Sequence, residues 1–199
     1  MKEHFLTILR NNETKTPAFR SAANTLAILM AQEAVKDLAL EKLPIVTPLA
    51  PTSGATLKEG VILATVLRAG LVFIPPFLSF FPNAAIGLFG IRRNEKTALP
   101  NLYYENLPEI SKTTHIFLLD PMLATGGTAA ISIQKLIEKG GNPSRISLVS
   151  LLAAKPGVEL IQKKFPKVRI HTAAVDPELN AKKFIVPGLG DFGDRYFGT

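Results

Sequence analysis

The 199-residue sequence contains no cysteine. That excludes a disulfide framework, a thiolate zinc site, an iron–sulfur cluster and a cysteine nucleophile, and it makes the cytoplasm the expected compartment. No GxxxxGK[ST] phosphate loop occurs, and the Gly-Gly run at 120–128 lacks the GxGxxG spacing of a dinucleotide site. No fixed-period repeat, low-complexity tract or Pro/Gly/Ser linker divides the chain, so one domain over residues 1–199 is expected. Acidic residues are in deficit: Lys+Arg 23 against Asp+Glu 16 leaves a net charge of +7. Such a balance suits phosphorylated metabolites, nucleic acid or acidic membrane surfaces. At 47% hydrophobic and 20% charged residues, the composition is that of a packed protein, not a disordered one.

An export signal is not expected, because the first 15 residues hold Glu3 and no apolar run of sufficient length. Residues 69–91 lack charge and reach membrane-spanning length, but Pro75, Pro76, Pro82 and Asn83 interrupt them where a spanning helix must be continuous. They read as a buried helix, a Pro-Asn turn and a buried strand.

Residues 16–43 carry Phe19, Ala23, Leu26, Ala27 and Met30 at helical spacing, with Pro17 in the first turn, and predict a leading helix. Short apolar runs follow at 61–67, 84–91, 115–120, 146–152 and 169–175. Between most of them lie segments able to form crossover helices, such as 128–139 and 157–165. This alternation predicts an open α/β fold with a mainly parallel sheet covered on both faces. Ligands of such folds bind beyond the carboxyl ends of the strands.

The run Asp120, Pro121, Met122, Leu123, Ala124, Thr125, Gly126, Gly127 and Thr128 leaves one strand end and enters a helix. Its glycines can turn backbone amides onto a small anion, its threonines add hydroxyls, and the helix adds its positive end. Asp120 is placed to accept from vicinal sugar hydroxyls. Arg68, followed by Ala69 and Gly70 at another strand end, suits a pyrophosphate. Arg92 and Arg93 begin a polar excursion, residues 92–96, that reaches Tyr103 and Tyr104: a solvated hairpin, or a lid bearing a second phosphate-binding arginine. The glycines and proline of residues 185–199 predict irregular backbone in place of a regular helix. Ile185, Phe192, Tyr196 and Phe197 should pack it back on the body, with backbone groups around Asp191 facing a flat polar ligand such as a nucleobase. His4, His115 and His171 lie outside these motifs, the latter two as strand residues.

DPMLATGGT after one strand, LRAG after an earlier one and IVPGLGDFGDRYFGT at 185–199 resemble the uracil phosphoribosyltransferase family, over residues 6–199. The resemblance implies a type I phosphoribosyltransferase fold, with a β-arm or lid and a C-terminal hood. It implies synthesis of UMP and pyrophosphate from uracil and 5-phosphoribosyl 1-pyrophosphate, with Mg2+ carried mainly by the substrate and no protein metal site. By the same resemblance Arg68 and Arg93 hold the donor's phosphates, and the run from Asp120 to Thr128 holds its ribose and 5-phosphate. Ile185, Gly190, Asp191 and Phe192 contact uracil, with Asp191 also near the donor; the catalytic set is Asp120, Arg68, Arg93 and Asp191. Two positions depart from the pattern: Phe192 stands where many bacterial members carry alanine, and Arg92 where tyrosine is common. The expected partners are the two substrates and further copies of the chain, as a dimer or tetramer, with no nucleic acid and no membrane. Two other readings stand beside it: a non-catalytic regulator that binds the donor or UMP, and a phosphoribosyltransferase for another base.

Overall fold

A computed structural model describes residues 1–93 and 100–199, except for the side chains of Asp37 and Arg93. The chain opens with α1 (Lys2–Arg10), which the sequence reading left unassigned, and α2 (Thr16–Ala34). Along α2, Phe19, Ala23, Leu26, Ala27 and Met30 are all fully buried, and Pro17 sits in the first turn, where its missing N–H costs no bond. The helix stops at Ala34, short of the predicted residue 43. A 3-10 turn (Val35–Asp37) and an extended Leu38 lead into an antiparallel hairpin of β1 (Leu40–Val46) and β2 (Pro51–Leu57). Helical backbone ends at Leu38, which is extended, and Pro44 then keeps Leu43 extended within β1.

β3 (Val61–Leu67) leads through a 3-10 turn (Ala69–Phe73) to α3 (Ile74–Phe80), whose first turn holds the tandem prolines, and then to β4 (Ala85–Arg93). Among the described residues no helix is long and apolar enough to cross a membrane. β5 (Pro100–Asn106) returns antiparallel to β4 and carries Tyr103 and Tyr104, with a register shift between Gly90 and Ile91. The predicted lid falls largely on residues 94–99, outside the described residues.

β6 (His115–Leu119), β7 (Met122–Leu123), α4 (Gly127–Glu138), β8 (Ile146–Ser150), β9 (Leu152–Ala154), α5 (Lys155–Lys164) and β10 (Arg169–Thr172) follow. β11 (Val175–Asp176), β12 (Glu178–Leu179), β13 (Ile185–Val186) and α6 (Phe192–Phe197) complete the chain. The main sheet has six strands in the order β10-β8-β6-β3-β4-β5, all parallel except the β4–β5 pair. Its side chains alternate between two cores with the period of two that a pleated sheet imposes. Leu63, Phe117, Leu119 and Val149 enter a core shared with α1, α2, α3 and α6; Ile62, Ala64, Ile116, Leu118 and Leu148 enter the other, under α4 and α5. Each fully buried Leu, Ile, Val or Phe side chain contributes about 1.5–3 kcal/mol, which is why these strands read as largely apolar runs.

The expectation of wholly irregular backbone at 185–199 is corrected by α6. The glycines sit mostly at its margins: Gly190 precedes the Asp191 N-cap, and Gly198 closes the helix in the left-handed region at φ 77°. Only Gly193 lies inside. The expected packing back on the body holds, for Phe192 stacks on Tyr196 with ring centroids 5.5 Å apart and meets Phe19 at 5.5 Å.

Candidate active site

The carboxyl ends of β3 and β6, the start of α4 and the segment from β13 to α6 surround one opening. A cavity of about 970 Å3 there is lined by Arg68, Met122, Ala124, Ile185, Gly190, Asp191 and Phe192, with Arg92, Lys182, Lys183 and Asp194 also on its wall. Four cationic side chains face two carboxylates, an excess that favours a polyanion. A second concavity of about 170 Å3 adjoins it through Met122 and Ala124 and is lined by Asp120, Thr125, Gly126 and Thr128.

The smaller concavity has the build of an anion cradle. Gly126 takes φ 81°, which turns the chain from β7 into α4 and leaves the first helical amides facing outward. A Cβ on Gly126 would stand 3.0 Å from the Gly157 carbonyl oxygen, so both the conformation and the space require glycine. Thr125 Oγ1 accepts from the Gly127 N–H at 3.3 Å. Pro121 and Gly127 line neither space; the Pro121 carbonyl accepts from the Leu151 and Leu152 amides and fixes the loop to the neighbouring strand.

Asp120 follows the last residue of β6. Although the residue is partly exposed, burial of its carboxyl pushes the pKa up to about 7, against the opposing hydrogen bond from the Met122 N–H at 3.4 Å. The site thus holds a carboxyl poised between its two forms near neutrality, and hydrogen-bond donors from a ligand would draw it towards the carboxylate.

On the opposite wall, Asp191 caps α6 by accepting from the Asp194 N–H at 3.0 Å. Ile185 is 6% exposed, and Gly188 and Gly190 take φ 63° and 81°. The turn is clamped from below: Arg10 donates to both Asp176 oxygens, at 2.7 and 2.6 Å, and to the Gly188 carbonyl at 2.8 Å, while Asp176 accepts the Gly188 N–H at 2.9 Å. Burial alone would raise the Asp176 pKa, but these bonds outweigh it and hold the carboxyl below its usual range. Phe192 lines the cavity although its ring is 2% exposed and committed to the core, so that its substitution for a small residue alters packing more than the pocket.

The predicted residues therefore converge, apart from Pro121 and Gly127, which line neither space, and Arg93. Arg93 ends β4 opposite Pro100, and its side chain lies outside the description. The departing residue Arg92 instead reaches the cavity wall and places its guanidinium 5.6 Å from the Tyr103 ring centroid. Lys182, Lys183 and Phe184 were missed; the sequence signal was a basic pair two residues before Ile185. Lys183 takes φ 64° in the turn that Asn180 organises by accepting from the Phe184 N–H at 3.0 Å.

Comparison with known proteins identifies the family and the fold. Uracil phosphoribosyltransferase from Streptococcus equi subsp. zooepidemicus is 44% identical over 198 residues, covering 99% of this chain and 94% of that protein. The structure of AQ2163 protein from Aquifex aeolicus superposes with TM-score 0.92 and 35% identity, covering 100% of this chain and 94% of the other. A hypoxanthine phosphoribosyltransferase from Trypanosoma cruzi shares the fold alone, at TM-score 0.50 and 13% identity over 80% of this chain and 75% of its own. Residues 1–199 match the family described as uracil phosphoribosyltransferase throughout, and the chain belongs to that family, with its type I phosphoribosyltransferase fold.

Proposed function

We propose that residues 1–199 act as one domain that transfers the phosphoribosyl group of 5-phosphoribosyl 1-pyrophosphate to uracil, giving UMP and pyrophosphate. The observation that carries the assignment of roles is the meeting of an anion cradle, an arginine-lined cavity and a glycine-rich turn at one sheet edge. Thr125, Gly126, Gly127 and Thr128 hold the 5-phosphate, and Asp120 accepts from the ribose hydroxyls. Arg68 and Arg93 take the pyrophosphate, with Arg92, Lys182 and Lys183 adding positive charge. Ile185, Gly190, Asp191 and Phe192 hold uracil, whose N1 bonds to the anomeric carbon as the bond to pyrophosphate breaks; the leaving group keeps the electron pair and N1 loses its proton. Little covalent chemistry falls to the protein. Holding two reactants in line supplies up to about 7–11 kcal/mol, and the cations at the leaving group supply much of the remainder.

Magnesium belongs to this reading as a companion of the donor. Among the described residues no group of three or more His, Asp and Glu could hold the ion alone, whereas Asp191 and Asp194 offer the oxygen ligands it prefers. When bound, the ion offsets charge on the pyrophosphate. A homo-oligomer, dimer or tetramer, is part of the reading, and the exposed Leu40, Val46 and Leu49 of the β1–β2 hairpin offer it an apolar surface. The cysteine-free composition supports a cytoplasmic setting.

Measuring UMP formation from uracil and donor, in parallel with other bases and with chelator, tests the assignment. Magnesium-dependent turnover restricted to uracil is expected. Donor or UMP binding without turnover would favour a regulator, and turnover of another base would overturn the uracil site.

A further inference from the structure

The cationic end of the cavity is held from an unexpected direction. The exposed Arg68 places its guanidinium over the ring of Phe197, 5.1 Å from the centroid, and its Nη2 donates to Thr199 Oγ1 at 3.5 Å. That hydroxyl donates in turn to Asp194 Oδ1 at 3.4 Å. Neither Phe197 nor Thr199 belongs to the base-side segment that ends at Phe192.

We infer that Phe197 is a positioning residue for phosphoribosyl transfer: its ring face, helped by the Thr199 hydroxyl, fixes the Arg68 guanidinium so that the donor's pyrophosphate meets a cation already in place. The inference rests on the assignment of Arg68 to the pyrophosphate. Its physical basis is the geometry of a stacked guanidinium. A ring engages the flat face and leaves the in-plane N–H groups pointing outward for bidentate bonds to phosphate oxygens. A carboxylate partner would occupy the same edge and cancel the charge.

The ring is itself fixed. Arg20 Nε donates to the Tyr196 carbonyl at 2.6 Å, Arg20 Nη2 to the Phe197 carbonyl at 3.1 Å, and Tyr196 Oη to Asn24 Oδ1 at 2.8 Å. Phe197 also meets the Tyr196 ring edge-on at 5.2 Å. α6 is therefore bolted to α2, and one short helix carries a base-side residue at its N-cap and the platform for the arginine at its last position.

Phe197→Leu, which keeps apolar volume and removes the π face, should raise the KM for donor and weaken pyrophosphate binding by roughly two- to thirtyfold, the range of such contacts. The KM for uracil and the melting temperature should change little, and Phe197→Tyr should restore the donor KM. In an Arg68→Ala background, calorimetry should show no further loss of donor affinity on adding Phe197→Leu. Should Phe197→Leu fail to fold, Thr199→Val carries the same test, with a smaller loss that also vanishes without Arg68. An unchanged donor KM in Phe197→Leu, or a loss that persists without Arg68, would overturn the inference while leaving the function in place. If Arg68→Ala itself leaves donor binding intact, the assignment of Arg68 falls and this inference with it.

Discussion

Asp120 joins two demands that oppose each other. A carboxyl that titrates near 7 when folded and near ~3.9 when unfolded binds more protons in the native state across that interval, so it makes stability fall as pH rises through it. Asp120→Asn should therefore melt higher than the parent at pH 7 and alike near pH 4, while losing at least about tenfold in turnover, ~1.4 kcal/mol. In the parent, the KM for donor should fall as pH rises through about 7, since the ionised carboxylate accepts from both ribose hydroxyls; that inflection should be missing in Asp120→Asn. Asp191 separates its own two roles with a pair of variants. Asp191→Ala removes the α6 cap and should lose about 1 kcal/mol of stability, whereas Asp191→Asn still caps. Both should lose UMP synthesis, and near-native turnover in Asp191→Asn would reduce Asp191 to a cap. Acids and glycines at strand ends were legible because their chemistry is local. Arg92 and Lys183 were not, because reaching the cavity depends on the β4–β5 register and on a turn made by Asn180.

At the scale of elements, the phosphate loop is the sharpest case of local sequence dictating shape. Gly126 carries the left-handed conformation, while Gly127 is already helical and a Cβ there meets the Pro100 ring, at 3.2 and 3.3 Å, and Thr125 Oγ1 at 3.5 Å. Gly126→Val should thus weaken donor binding by at least about fivefold, given the ~1–3 kcal/mol attached to such backbone positions. Gly127→Val should weaken it less, and calorimetry on the folded variants ranks the two; the reverse order would mean that the helix amides, not the turn, set affinity. The central strands were readable because burial on both faces leaves them mostly apolar and without charge, with Thr65, His115, Ser147 and Ser150 as buried polar exceptions. The β1–β2 hairpin and α6 were not, for opposite reasons. Exposed β1 has no alternating face to announce a strand, and α6 hides a helix behind glycines that its caps use.

For the whole molecule, His115 is a buried point of acid weakness. Its Nε2 lies 3.1 Å from Ser147 Oγ, and burial is the main reason its pKa falls to about 4, against the pull of Glu59, whose carboxylate is 3.9 Å from Nδ1. The folded state refuses a proton that the unfolded state accepts, so stability should decline as pH drops from about 6.5 towards 4 by at most on the order of 3 kcal/mol. His115→Gln should flatten that part of the melting-temperature profile; an unchanged slope would mean other groups govern it. A mainly parallel sheet covered on both faces follows from the alternation of strands and helices, but the strand order and the position of α6 do not, because they depend on contacts between residues remote along the chain. Arg195 donates to the carbonyls of Leu9 and Asn11 and lays its guanidinium 4.4 Å from the Phe19 centroid. The cradle closes within a few residues of one strand, whereas the wall bearing Asp191 waits for partners 186 positions apart to meet. Closing so long a loop is slow relative to local pairing, and chains of this size commonly fold through intermediates. In a refolding experiment, the capacity to bind donor should consequently return before the capacity to turn over uracil, and the interval between the two would time the docking of the last helix.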